Sequence, residues 1–294
     1  MISGIQYVVN GLNTGATYAL VGLGFGLIFH VCGFFHFAHG AVYTLGAYAA
    51  YVLIHILGCP AWFALPSAIL IAALAGATID VTVYRPLQRL RASPLAILIA
   101  SLGLLLAMQN AIALAFGDDT KSLRAGNVTE AHSVFGSRIT TTQVATIVTA
   151  IALFGTVSAL FRFSSAGRKL RAVANDSELS EALGVNTKAV VTSTFTLGSA
   201  FACLAAILAA YDTDLTPVMG FKALLGAVVA VIVGGRGSVL GILLGGLLVG
   251  MAQNFAVWVL PSQWQDTIVF AILVVFLLLR PRGFLGQPLH KSGV

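Results

Sequence analysis

Charge is confined to a few short stretches of this chain, and the first 79 residues carry none. Asp, Glu, Lys and Arg appear at 80–91, 118–138, 162–188 and 212–222, at Arg236, at Asp266, and from Arg280 onward. The stretches between are apolar and about as long as a crossing of a ~30 Å hydrocarbon layer requires. About 25% of the residues in ordinary soluble domains are charged, against 9% here. A water-soluble domain cannot leave so much surface uncharged. The chain therefore reads as an all-α, polytopic transmembrane helix bundle, a single membrane domain over 1–294, with the charge clusters as its loops.

Spans are expected at Tyr7–Phe29, Phe37–Leu57, Trp62–Ile79, Pro94–Phe116, Thr142–Phe161 and Ala189–Tyr211. The region from Ala223 to Leu260 is too long for one span and is interrupted at Gly234-Gly235-Arg236-Gly237-Ser238. It divides into a short segment, a turn and a full span, Val239–Leu260. Thr267–Leu279 closes the set, giving nine crossings, or eight if Ala223–Val233 is re-entrant. Small residues recur four apart at Gly11 and Gly15, Gly22 and Gly26, Gly237, Gly241 and Gly245, and Gly246 and Gly250, the spacing that lets helix backbones approach closely in lipid.

Loops 80–91 and 162–188, Arg236 and the tail hold twelve of the Lys and Arg residues, and the alternate set holds four. The positive-inside bias places the first set in the cytoplasm, with 118–138 and Pro261–Gln265 outside and the N-terminus outside as well. The net charge of +6 follows from this retention, so no nucleic-acid partner is implied. Met1–Gln6 lacks the basic start of a cleaved signal peptide, and the first segment is expected to be kept. Cys32, Cys59 and Cys203 have no paired spacing, which points to neither a disulfide framework nor a zinc site.

The sequence contains no P-loop, no His-Glu-x-x-His and no Gly-x-Ser-x-Gly, so nucleotide hydrolysis, zinc proteolysis and serine hydrolysis lack their signatures. No charged residue falls deep in an expected span, which argues against a proton-driven carrier. Neutral polar groups remain: Asn10, Asn13 and Thr14, with Thr17, on the first span, His36, His39 and Tyr43 at the start of the second, and Gln109 and Asn110 on the fourth. They can line a path for a small neutral or zwitterionic solute, or bond to neighbouring helices. His36 and His39 lack the further ligands of a zinc site; no metal and no cofactor is expected.

Loop 162–188 opens with Arg162, Arg168, Lys169 and Arg171 and continues Asn175-Asp176-Ser177-Glu178-Leu179-Ser180-Glu181-Ala182-Leu183-Gly184. Asp176 or Ser177 can cap a short helix whose first turns hold acids, where the helix dipole favours them. Gly184 suits its stop. Such an amphipathic helix can dock a soluble partner or lie on the lipid surface as a plain connector.

These residues bring out a resemblance. Asn10-Gly11 with Gly15-Ala16-Thr17-Tyr18-Ala19-Leu20, Phe37-Ala38-His39-Gly40 with Gly46-Ala47-Tyr48, Tyr84-Arg85-Pro86-Leu87, Gln109-Asn110, Gly167-Arg168 to Gly184-Val185-Asn186-Thr187, Gly234 to Ser238 with Gly241 and Gly245-Gly246, and Arg280-Pro281-Arg282-Gly283 run in order nearly end to end. The chain resembles the inner-membrane permeases of branched-chain amino acid ATP-binding cassette (ABC) transporters, the LivH/LivM family, and the LivH type in particular.

The resemblance implies a non-catalytic subunit of an importer for branched-chain or related small neutral amino acids. It implies a second, LivM-like permease subunit, two cytoplasmic ATP-binding subunits that hydrolyse ATP, and a periplasmic solute-binding protein. It makes 162–188 the ATPase-coupling loop, carrying Arg168, Arg171, Asp176, Glu178, Leu179, Glu181, Leu183 and Gly184. The family usually has Asn where this chain has His36, which bears on solute choice: urea, short amides and aromatic acids use similar permeases. A stand-alone channel or secondary carrier is the alternative of another class.

Overall fold

The computed structural model describes residues 4–124, 131–134, 137–280 and 282–286. The uncharged first block supplies α1 (Gly4–Cys32), α2 (Ala38–Tyr51, extended by a π turn over Val52–Ile56) and α3 (Ala61–Ile79). A second π turn, Asp80–Tyr84, runs without a break into α4 (Arg85–Arg89). Then come α5 (Pro94–Phe116), a short hairpin of β1 (Ala131–Val134) and β2 (Ser137–Thr140), α6 (Thr141–Phe163), α7 (Ser165–Asn175), α8 (Ser177–Ala182) and α9 (Thr187–Asp212). α10 (Met219–Gly234), α11 (Val239–Val259) and α12 (Gln265–Leu279) complete the order.

Seven helical segments are long and apolar enough to cross a membrane, among the described residues, and α10 is a shorter apolar helix beside them. This is a multi-pass membrane helix bundle. Two expectations need correction. The hairpin is a small antiparallel sheet among otherwise helical described elements, and it lies in and just beyond the loop expected at 118–138. The span expected to end at Ile79 continues to Arg89, because Asp80, expected in a loop, is fully buried inside the helix and paired there.

The chain divides into two units. The first comprises residues 1–26, 124–157 and 223–287. Within it α1 and α11 pack at glycines: a Cβ on Gly15 would lie 2.8 Å from Leu247 Cα, and one on Gly246 would lie 2.8 Å from Ala19 N and Cβ. Lipid tails are as apolar as leucine, so close van der Waals packing rather than a hydrophobic drive holds such helices together. Val229, Val233, Val249 and Val269 form a buried core, closed by Tyr18, Leu248, Ile272, Leu273 and Phe276.

The second unit comprises 27–123 and 158–222. α2 is buried along most of its length, which its composition of Ala, Gly and Tyr permits. It packs on α3, α5 and α9; a Cβ on Gly46 would fall 2.5 Å from Cys203 Sγ of α9. Gly76 of α3 likewise sits against α9, where its added Cβ would lie 2.7 Å from Ser199 Cβ. After α9, a backbone bridge joins Lys121 and Leu215, with N–H···O distances of 3.0 and 2.7 Å.

Candidate substrate path and docking connector

In the first unit the polar face of α1 is paired rather than bare. Asn10, Asn13 and Thr14 are half-buried and recur at three- and four-residue spacing, so they share one helix face. Gln6 Nε2 donates to Asn10 Oδ1 at 3.1 Å. The Gln6 side chain also pairs with the Arg138 backbone, donating to its carbonyl at 2.9 Å and accepting from its N–H at 2.8 Å. One turn further along α1, Asn254 Nδ2 of α11 donates to Thr14 Oγ1 at 3.1 Å, and Tyr18 O–H donates to Gln253 Oε1 at 2.9 Å.

In the second unit the corner between α1 and α2 carries the histidines. His36 and His39 are completely buried, their rings 5.7 Å apart. Tyr84 O–H donates to Ser101 Oγ at 3.0 Å, and Ser101 Oγ also accepts from the Ala38 N–H at 3.2 Å. His36 Nδ1 lies 2.7 Å from the Tyr84 hydroxyl oxygen, which joins the imidazole to the same chain of bonds. The chain of bonds ends on an orphan amide at the start of α2, which secures that helix end. Phe195 closes the cluster, 5.0 Å from the His36 ring and 5.4 Å from Tyr84. Tyr43 is buried on α2. Gln109 is half-buried, whereas Asn110 is exposed and donates back to Leu106 O of its own helix at 2.8 Å. α5 meets the histidine cluster through Ser101, about two turns before Gln109. Among the described residues no group of three or more His, Cys, Asp or Glu is placed to hold a metal.

The stretch after α6 is two helices, not one. Ser164 caps α7 by accepting from Gly167 N at 2.9 Å. Gly167 lies so close to the end of α6 that an added Cβ would be 2.6 Å from Leu160 O and Phe161 O. The Arg171 guanidinium donates to the Phe161 carbonyl, satisfying an acceptor that the end of α6 leaves open. Arg171 thus serves the connector's own fold, while Arg168 and Lys169 face outward. Asp176 caps α8, with Oδ1 accepting from Leu179 N at 2.9 Å. The helix ends at Ala182, two residues short of the expected Gly184, and Gly184 takes the positive φ of 83° that follows it. Glu178, Glu181, Leu179 and Leu183 are all exposed.

The expected break between α10 and α11 is present. Gly235 and Gly237 adopt φ of 98° and 83°, values that a side chain would strain. Gly234 and Gly245 lie against the facing helix, and a Cβ on Gly241 would lie 3.0 Å from the carbonyl carbon of Gly234. The turn after α12 returns to this break: Phe284 N donates to Val233 O at 2.8 Å and Leu285 N to Gly234 O at 3.0 Å, closing the last carbonyls of α10.

A family model described as branched-chain amino acid transport system / permease component matches residues 7–277. The high-affinity branched-chain amino acid transport system permease protein BraD of Pseudomonas aeruginosa is 34% identical over 300 residues, covering 97% of this chain and 96% of that protein. LivH of Escherichia coli K12, of the same description, is 34% identical over 298 residues with the same coverage. The chain belongs to the branched-chain amino acid transport permease family. This permease is also 25% identical over 292 residues to LivM of Escherichia coli K12, covering 91% of this chain and 67% of that protein. Among solved structures, PsaBC from Streptococcus pneumoniae in complex with Fab shares the fold, with a TM-score of 0.52 at 15% identity over 94% of this chain and 93% of that one.

Several polar residues of the permease escaped the sequence reading. Gln253 and Asn254 form a polar pair in an apolar span just as Gln109 and Asn110 do, and that signal was available. Tyr84 and Ser101 carried none, being ordinary residues in a motif and a helix. Asp80 and Thr192, joined at 2.8 Å, are 112 residues apart and leave no trace in local periodicity.

Proposed function

We propose that this permease is one membrane subunit of an ABC importer that carries branched-chain or related small neutral amino acids across the inner membrane. The observation that carries this is the end-to-end relation to BraD and LivH, whose described cargo is branched-chain amino acids. ATP hydrolysis belongs to two separate cytoplasmic subunits, a LivM-like chain completes the pore, and a periplasmic protein delivers the solute. The sequence kinship with LivM, weaker than with LivH, supports a pseudo-symmetric pair of permeases. The deciding experiment is leucine uptake by cells lacking their own system. Uptake should require this chain and an ATP-binding subunit together, with urea, short amides and aromatic acids tested as competitors. Uptake by this chain alone would replace the importer with a self-sufficient carrier.

Two further results are expected. A cysteine at Ser122 should be labelled from outside intact cells, and cysteines at Ser93 and Ser177 should not; labelling at Ser177 would reverse the orientation given by the charged loops. His39→Ala and Gln109→Ala should each lower uptake without removing the permease from the membrane. Unchanged uptake in both would make those side chains packing elements only.

A further inference from the structure

We propose that Asp80, Arg85 and Thr192 form a buried latch that positions the start of α9, and with it the α7–α8 connector, so that movement of the connector is transmitted to the long helix Ala61–Arg89. The inference rests on the importer reading given above. Its starting point is a carboxylate with no exposed side-chain surface inside a membrane-length helix. Such a group is costly, and where it persists it pairs and marks function.

The pairing depends on a local change of helix type. Residues five apart lie on different faces of an α-helix. Here the backbone winds as a π turn over Asp80–Tyr84, closed by the Arg85 N–H donating to Asp80 O. That wider turn stacks Arg85 over Asp80, and Arg85 Nε reaches Asp80 Oδ2 at 3.1 Å. π turns of this kind are rare and recur at functional sites.

The pair then grips α9. Thr192 O–H lies 2.8 Å from Asp80 Oδ2, and the Arg85 guanidinium donates to the Thr192 hydroxyl oxygen. Arg85 Nη2 also donates to Lys188 O, in the first turn of α9, at 3.1 Å. The threonine has a single proton and a second acceptor within reach, Lys188 O at 2.9 Å, so it can bond to the latch or fold back on its own helix. Asp80 Oδ1 is buried with no hydrogen-bond partner, which leaves an acceptor open for a shifted arrangement of the same donors.

α9 in turn is tied to the connector. Asn186 caps it, accepting from Ala189 N at 3.0 Å, and Val185 N donates to Ser180 O of α8 at 2.9 Å. Both α7 and α8 pack on α9. A push on α8 therefore reaches the latch through little more than one turn of helix. Further along, the two helices are held by the packing of Gly76 against Phe195 and Ser199; the latch is the polar tie at the connector end of α9.

The test uses the complete transporter in proteoliposomes, measuring solute uptake and ATP hydrolysis on the same sample. Thr192→Val keeps the shape and removes the hydroxyl, Thr192→Ser restores it, and Asp80→Asn removes the charge. Thr196→Val is the control, since the side-chain bond of Thr196 among the described residues is a back-bond to Thr192 O at 2.8 Å. Thr192→Val and Asp80→Asn should assemble and hydrolyse ATP, yet lose about tenfold or more in uptake per ATP, a size typical of coupling between sites. Thr192→Ser and Thr196→Val should keep the native ratio. If Thr192→Val lowers only the amount of complex and leaves uptake per ATP unchanged, the latch is structural and the proposal falls. If the native chain binds no ATP-binding subunit, the importer reading fails first and the latch with it, a result visible before any variant is made.

Discussion

Leucine in place of Gly250 should leave the protein unable to bring α1 and α11 together. An added Cβ at this position runs into Gly15 N and Cα and lies 2.8 Å from Gly11 O. All three are backbone atoms, so no rotamer change relieves the clash, and leucine adds three more carbons. Overpacking a core usually costs about 1–3 kcal/mol, with relaxation of side chains included. Here relaxation requires moving a helix, so the cost should reach or exceed the top of that range. The Asn254–Thr14 and Tyr18–Gln253 bonds, one turn away, are lost as the helices part, adding about 0.6 kcal/mol for each interhelical bond. Gly103 provides the control. Nothing lies within 4 Å of its added Cβ, and Gly103→Leu should purify like the native protein. The measurement is the yield of monodisperse protein in detergent and its thermal unfolding. Equal yield and stability for Gly250→Leu would show that α1 and α11 do not pack at this glycine.

How far the sequence foretold the fold can be judged helix by helix. α5 occupies the expected Pro94–Phe116 and α11 ends one residue from its expected limit. These segments are bounded by Ser-Pro, by glycine and by proline, signals that act locally. The end of the third span was misplaced by ten residues because charge was equated with water. Asp80 is an acidic residue buried inside the helix and paired with an arginine at a spacing that helical periodicity does not flag. In the connector the sequence pattern predicts one capped helix where two exist. The cap at Asp176 was visible in sequence, but the packing of Gly167 against the end of α6 depends on a crossing that only three dimensions reveal. The polar residues show the same limit more sharply. Asn110 and Asn254 follow glutamines in apolar spans, yet one is exposed and the other bonds to Thr14. Composition finds polar residues in a membrane helix; only the neighbour decides whether they are satisfied, facing lipid, or free for a solute.

The largest effect on transport is expected from Leu183→Glu. α8 is held in place from within: Asp176 caps it, and the buried Ser180 hydroxyl donates to Asp176 O at 2.6 Å. Outward it presents an apolar pair among charged residues. Leu179 is 56% exposed and Leu183 76% exposed, four residues apart and so neighbours on the helix surface. Exposed Glu178 and Glu181 flank them, a charged rim around an apolar pair. Leucines on a charged connector gain nothing from water, and a partner that buried both would gain about 2–5 kcal/mol before ordering costs. The sequence holds no P-loop, so on the importer reading proposed above the work of hydrolysis arrives through a contact of this kind. A glutamate at 183 would carry a charge into the middle of that contact. Losing even the lower figure weakens binding by more than tenfold, since every 1.4 kcal/mol is a factor of ten. The ATP-binding subunit should therefore dissociate from the purified complex and uptake should cease, while the permease still inserts and behaves as a folded protein in detergent. An active, stable complex carrying Leu183→Glu would remove α8 from the coupling contact and send the search for it to the other charged loops.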